Sequence, residues 1–370
     1  MKKLFILFAV LAIAVSCAKE PKFIVSGTIN GAENGTVLLQ KIGPEGYLAI
    51  DSAVLKNGTF KIEGFIEYPQ MVVLSLKDKR GGLNFFIENA EINIVGNADS
   101  LYQASVTGSK TQSEYETYKA SFNELNAERR KVFDRYREAR MAGNEELAST
   151  IEKEMEAMDG KQLTMNKEFI INNPASYVTP TIIGDPQMLY YLEADEMESL
   201  LGKLDTTLNK VQAIADLKER LEHLKAVAVG QKAPDFTLND INGNPVSLYS
   251  KIGGTTKLLL VDFWASWCGP CRRENPNVVK VWKEYNKKGF DVFGVSLDTD
   301  GDAWKKGIEE DHLTWTHVSE LNRFNTVPVK LYAVIAIPAN FLIDGNGIIV
   351  GHNLTGDDLA AKVKEILGTK

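Results

Sequence analysis

From Val229 to Lys370 short apolar runs alternate with amphipathic segments, and that order admits few folds. "KLLLVDFWA" reads as a buried strand, Cys271 to Lys288 as a helix and "FDVFGVSLD" as a strand. A helix from about Asp302, "TWTHVS", a short helix near Val329, the strand pair "ANFLID" and "GIIVGH", and a last helix from Asp357 follow. Such an order demands a central sheet with helices on both faces, so an α/β domain is expected over 229–370.

The text before it obeys other periods. From Phe23 to about Gly108, alternating runs are broken by turn signals, clearest at Asn57-Gly58 in "SAVLKNGTFKIEGF", with a second Asn-Gly turn expected at Asn34. An antiparallel β domain, a sandwich, is expected over 23–108. Tyr115, Tyr118, Phe122, Leu125, Val132 and Tyr136 then form one helical stripe, and Leu147, Ile151, Met155 and Met158 a second, which predicts two long antiparallel helices. Pro174, Pro180 and Pro186 cut the next stretch into short pieces before helical text resumes from Ala194 to Val227. A helical domain is expected over 109–228, and neither it nor the β region carries a catalytic motif.

The chain begins "MKKLFILFAVLAIAVSC". Two lysines precede an apolar run shorter than the roughly 20 residues a bilayer span needs, the order of a secretory signal. The ending "AVSC" resembles a bacterial lipobox, which implies cleavage before Cys17 and lipid on that cysteine, over a signal segment 1–17. No Asp follows Cys17, which favours the outer membrane within the cell envelope, facing the periplasm. A net charge of −7 in a chain of 44% apolar and 25% charged residues lacks the basic footprint of a nucleic-acid binder.

With Cys17 set aside, two cysteines remain in 370 residues, Cys268 and Cys271 in "WASWCGPCRRENP". A disulfide framework is excluded, yet a bare C-x-x-C still permits a metal clamp, a staple or a redox pair. Residues 229–370 resemble the thioredoxin fold, and more narrowly the TlpA/ResA-like thiol-disulfide oxidoreductases of bacterial envelopes: "VDFWASWCGPC" matches the thioredoxin signature and "CRRENP" the C-x-x-E-x-P continuation of that branch. The residues before them resemble an uncharacterised β domain found ahead of such domains in secreted lipoproteins.

The resemblance implies a dithiol-disulfide cycle between Cys268 and Cys271 that acts on protein substrates and uses no cofactor. Cys268, at a helix start where amide N–H groups favour a thiolate, is the expected nucleophile, and Cys271 the resolving thiol. Asp262 matches the buried acid that takes the resolving thiol's proton; the lysine that accompanies this acid in thioredoxin is replaced by Gly294. Glu274, one turn past Cys271, matches a carboxylate that modulates the pair. Trp267, Gly269, Pro270, Ile337 and Pro338 are the expected substrate-facing residues, with Trp264 and Trp267 as an apolar collar and Ile337-Pro338 as the cis peptide bond facing the cysteines. Gly-Pro between the cysteines points to a reductase, fed by a membrane donor of DsbD or CcdA type.

Rival readings are weaker. His312 and His317 have an H-x4-H spacing but lie far from the cysteines for a zinc site. Haem attachment needs a histidine where Arg272 stands, and a peroxiredoxin a threonine where Ala265 stands. A redox-inert scaffold beside a lipid-tethered binding module sits poorly with an intact cysteine pair.

Overall fold

The computed structural model describes residues 22–43 and 46–368. The signal segment and Cys17 lie outside them. The chain divides into two compact units with the boundary between Glu124 and Leu125. Each is built by a different local logic.

The first unit holds β1 (Phe23–Asn30), β2 (Asn34–Gly43), β3 (Gly46–Lys56), β4 (Thr59–Gly64), β5 (Gln70–Leu76), β6 (Leu83–Ile87), β7 (Glu91–Asn97), β8 (Ser105–Thr107) and helix α1 (Lys110–Ser121). The strands join in one eight-stranded sheet, β6-β5-β2-β3-β4-β1-β7-β8, not in two facing sheets. All neighbours are antiparallel except β1 and β7. Alternation in β1 turns Phe23, Val25 and Ile29 inward, where they share one core with Leu74 and Phe85 from the other half of the sheet. Asn57 and Gly58 take φ of 50° and 71°, as a tight hairpin between β3 and β4 requires. The second expected turn lies elsewhere: Asn34 already begins β2, and the chain reverses at Gly31, whose φ is 78°. Helix α1 is tied to the sheet, since the Gln112 side chain accepts the Phe86 N–H at 2.8 Å and Thr111 donates to Glu88 at 2.8 Å.

The second stripe of the sequence becomes α3 (Glu145–Asn172), and the first is divided between α1 and α2 (Asn123–Met141). The break at Phe122, whose N–H turns back to the carbonyls of Lys119 and Ala120, keeps Phe122, Leu125 and Val132 buried, so periodicity gave no sign of it. Helices α2 and α3 run antiparallel, with ion pairs Arg135–Glu154 at 2.8 Å and Arg129–Asp159 at 3.0 Å. The proline-rich stretch makes only α4 (Thr179–Ile183) and α5 (Pro186–Tyr191), followed by α6 (Ala194–Gly202) and α7 (Gln212–Ala226).

The remaining elements are β9 (Thr237–Asp240), β10 (Pro245–Ser247), β11 (Leu258–Trp264), α8 (Gly269–Tyr285), β12 (Phe290–Ser296), α9 (Gly301–Glu310), β13 (Thr316–Ser319), α10 (Val327–Leu331), β14 (Ala339–Asp344), β15 (Ile349–His352) and α11 (Gly356–Leu367). The sheet runs β10-β9-β13-β12-β11-β14-β15. β11 lies inside it, parallel to β12 and antiparallel to β14, and all seven of its residues are buried. That explains its unbroken apolar text, interrupted only by Asp262. This is the thioredoxin-like α/β architecture expected from the sequence, preceded by a strand-rich domain and helices.

Candidate active site

β11 ends at Trp264, and four residues later Cys268 caps the N-terminus of α8. Cys268 and Cys271 are joined as a disulfide. The Cys271 amide N–H points at Cys268 Sγ over 3.1 Å, so one of the free donors of the helix start is aimed at that sulfur. Pro270, in the first turn, has no N–H to leave unpaired. Both cysteines are buried, 4% and 1% exposed, so exposure separates them less than the sequence suggests. Their positions relative to the helix end separate them clearly.

The preceding loop is held from two sides. Asp298, buried just past β12, accepts the Ser266 N–H at 3.0 Å and the Ser266 hydroxyl at 2.6 Å. Arg272 donates to the Ser266 carbonyl at 3.2 Å while pairing with Asp311 and, at 2.9 Å, with Glu310. Sequence reasoning missed both residues, because nothing local marks a strand-end Asp or a helix Arg as a loop anchor.

Across the disulfide lies the Ile337-Pro338 bond, which is cis. The Ile337 carbonyl oxygen stands 3.7 Å from Cys268 Sγ, a contact that becomes a hydrogen bond only when the sulfur carries a proton. Trp267, Gly269 and Pro270 are exposed on the near side, with Trp267 51% exposed and the Arg323 guanidinium 5.9 Å from its ring. Trp264 is no part of a collar: it is 1% exposed and meets His317 edge to face at 5.4 Å beneath the loop.

Asp262 sits on the buried strand in register with Gly294, which in turn pairs with His317 of β13. Burial, and after it the charge of Glu274, lifts the carboxyl from 3.8 to about 7. The place of a counter-charge is closed: a Cβ on Gly294 would lie 2.3 Å from His317 Nδ1. His317 supplies no charge either, because burial lowers its imidazole to about 3 and keeps it neutral, outweighing the Leu313 backbone. Glu274 spans two tasks. Its carboxylate accepts the Gly356 N–H at 2.8 Å, at the start of α11, and the Asn277 amide at 2.8 Å.

Set against known proteins, residues 229–352 match the AhpC/TSA family and residues 23–115 a domain of unknown function, DUF4369. The thiol-disulfide oxidoreductase ResA of Geobacillus kaustophilus is 34% identical over 145 residues, which cover 38% of this chain and 79% of that relative. The chain belongs to the ResA-like thiol-disulfide oxidoreductases. ResA of Oceanobacillus iheyensis is 33% identical over 150 residues, covering 38% of this chain and 74% of that one. The thioredoxin domain of a thiol-disulfide oxidoreductase from Bacteroides vulgatus aligns with 38% identity and a TM-score of 0.35, over 38% of this chain and 98% of that domain. In this family the reacting group is the cysteine pair, which exchanges a disulfide with protein thiols.

Proposed function

We propose that the protein reduces disulfides of other proteins in the cell envelope, with Cys268 as attacking thiolate and Cys271 as resolving thiol. The observation that carries the assignment is the placement of Cys268 Sγ at the helix cap, 3.1 Å from the Cys271 N–H and 3.7 Å from the Ile337 carbonyl. The reduced Cys268 thiolate attacks one sulfur of a substrate disulfide and expels the other as a thiolate. Cys271 then attacks Cys268 Sγ in the mixed disulfide and releases the second substrate sulfur. The substrate gains two electrons, and the pair ends as the disulfide seen here. Asp262, neutral up to about pH 7, is suited to pass protons to and from Cys271.

On this reading an extended substrate segment pairs with the backbone of Ile337 beside Pro338, while Trp267, Gly269 and Pro270 form the facing rim. Glu274 modulates the pair through Asp262. A β domain over 23–108 and a helical domain over 109–228 serve as spacer or binding modules, and lipid on Cys17 holds the chain to the outer membrane. A membrane donor of DsbD or CcdA type returns the pair to the dithiol. Gly269-Pro270 and, where they are ionised, the acidic neighbours Asp262 and Glu274 support the reducing direction, since negative charge disfavours the thiolate that a strong oxidant stabilises. Equilibration with glutathione tests it: a potential near −270 mV is expected, and one above about −150 mV would make the protein an oxidase or isomerase. Cys17→Ser should abolish incorporation of labelled fatty acid, and an unlabelled wild-type protein would remove the anchor.

A further inference from the structure

A cavity of about 250 Å³ lies where α5, α6 and α7 meet β14, β15 and the segment that follows α10, and neither cysteine lines it. Most of its lining residues are apolar, Leu224, Val227, Tyr332 and Phe341 among them, while polar atoms make up about half of the lined surface. One cation faces it without a counter-charge. Arg220 of α7 is partly buried, its Nε sealed from solvent, and it has no hydrogen bond or ion pair among the described residues. A guanidinium cannot shed its charge as a lysine can, so burial without a partner is a standing cost, and desolvation lowers its pKa.

The nearby carboxylates are engaged elsewhere. Glu219 pairs with Lys330 at 2.7 Å, and Asp216 accepts the Gln212 amide at 2.8 Å. Glu193 and Asp195 border the cavity, but Glu193 stands 3.9 Å from His352, and both lie at the start of α6, where the helix has no side-chain cap and its free amides offset negative charge. A smaller cavity of about 180 Å³ also touches Arg220 and is lined by Asp216, Glu219, His223 and Lys330. The larger one offers apolar side chains to a ligand body and, in Arg220, one cation without a partner among the described residues.

We propose that the larger cavity binds a small amphipathic carboxylate of fatty-acid type, its chain against Leu224, Val227, Tyr332 and Phe341 and its head on the guanidinium of Arg220. Such an anion supplies the planar, bidentate partner that a guanidinium fits. The cavity, just below the roughly 300–1,000 Å³ of ligand pockets generally, suits a chain of about eight carbons. Ala336 and Ala339, which flank the cis Ile337-Pro338 bond, also line it, so an occupant would touch the loop that faces the disulfide.

Calorimetric titration of the oxidised chain, lacking only its signal segment, with octanoate, octan-1-ol and acetate tests this independently of any redox activity. Octanoate should bind saturably at one site with Kd below about 1 mM, at least about tenfold tighter than octan-1-ol or acetate. Arg220→Gln should weaken octanoate at least about tenfold while disulfide reduction without octanoate stays unchanged. Ala228→Trp, which fills the cavity and keeps the charge, should abolish binding. Equal binding of octanoate and octan-1-ol, undiminished binding by either variant, or no saturable binding to the wild-type chain overturns the proposal. Binding of acetate as tight as octanoate reduces the site to an anion contact and overturns it as well.

Discussion

The strand-rich region 23–108 and the α/β region 229–370 are both folded around continuous apolar cores, but they treat polar groups differently. Among the described residues, 23–108 bury no polar or charged side chain, whereas 229–370 bury eight: Asp262, Asn275, Ser296, Asp298, His317, Ser319, Thr326 and Asn340. Burying a polar group costs free energy that apolar packing alone avoids. Most of these eight lie within the sheet beside β11 or around the Ser266 loop, so the cost falls where the cysteine pair has to be positioned and its protons managed. The described residues of the β region are free of that cost.

The largest test of this contrast is at the sulfurs. Cys268→Ser should lower steady-state disulfide reduction by roughly a thousandfold or more. Cys271→Ser should stop turnover equally while accumulating mixed disulfides on non-reducing gels, which Cys268→Ser should not. Equal trapping by the two variants would reverse or erase the assigned roles. In the other region, Phe85→Ala empties a fully buried site and should destabilise the strand-rich unit by about 3–5 kcal/mol. Disulfide turnover measured below its unfolding temperature should not change. A parallel loss of turnover would break the comparison, since it would make the β core part of the catalytic machinery.

Asp262→Asn sharpens the contrast through pH. The folded carboxyl titrates near 7 against 3.8 for the free group, so at pH 3 it is neutral in folded and unfolded chains and costs nothing by ionisation. As pH rises from about 4 the unfolded chain ionises first, stability falls, and the loss is complete above about 7. Asn cannot ionise. The variant should therefore gain stability at pH 8, by up to about 4 kcal/mol, and little at pH 3, read from urea unfolding at both values. It should also slow turnover. A gain independent of pH would show that Asp262 is not held neutral by burial.

Glu274 gives the smallest effect and the finest separation. Glu274→Gln keeps an oxygen for the Gly356 N–H but removes the charge that raises Asp262, so the Asp262 titration should move down by less than about one unit with stability nearly unchanged. Glu274→Ala should lower it similarly and cost about 1 kcal/mol more through the lost cap of α11. Thiol reactivity followed against pH reads the first effect, and thermal unfolding the second. An unmoved titration in both variants would leave Glu274 with the cap alone.

What the sequence determined by itself is what short stretches of chain decide. The Asn57-Gly58 hairpin, the buried strand ending at Trp264, Cys268 at a helix start and the strand–helix alternation after Val229 are local, because turn geometry, helix caps and hydrophobic period act over a few residues. Asp262 was reached through the family resemblance, by its place on the strand before Cys268. The end of the stripe at Phe122 was hidden because the break stays in phase, and the displaced turn at Asn34 because an Asn-Gly pair also begins a strand. Tertiary structure alone decided the rest. It closed eight strands into one sheet, laid His317 over Gly294, turned Glu274 to Gly356 and Asp298 to Ser266, and left Arg220 beside an apolar cavity. Those partners lie tens of residues apart, and no local pattern encodes which distant side chain will desolvate, repel or satisfy a given group.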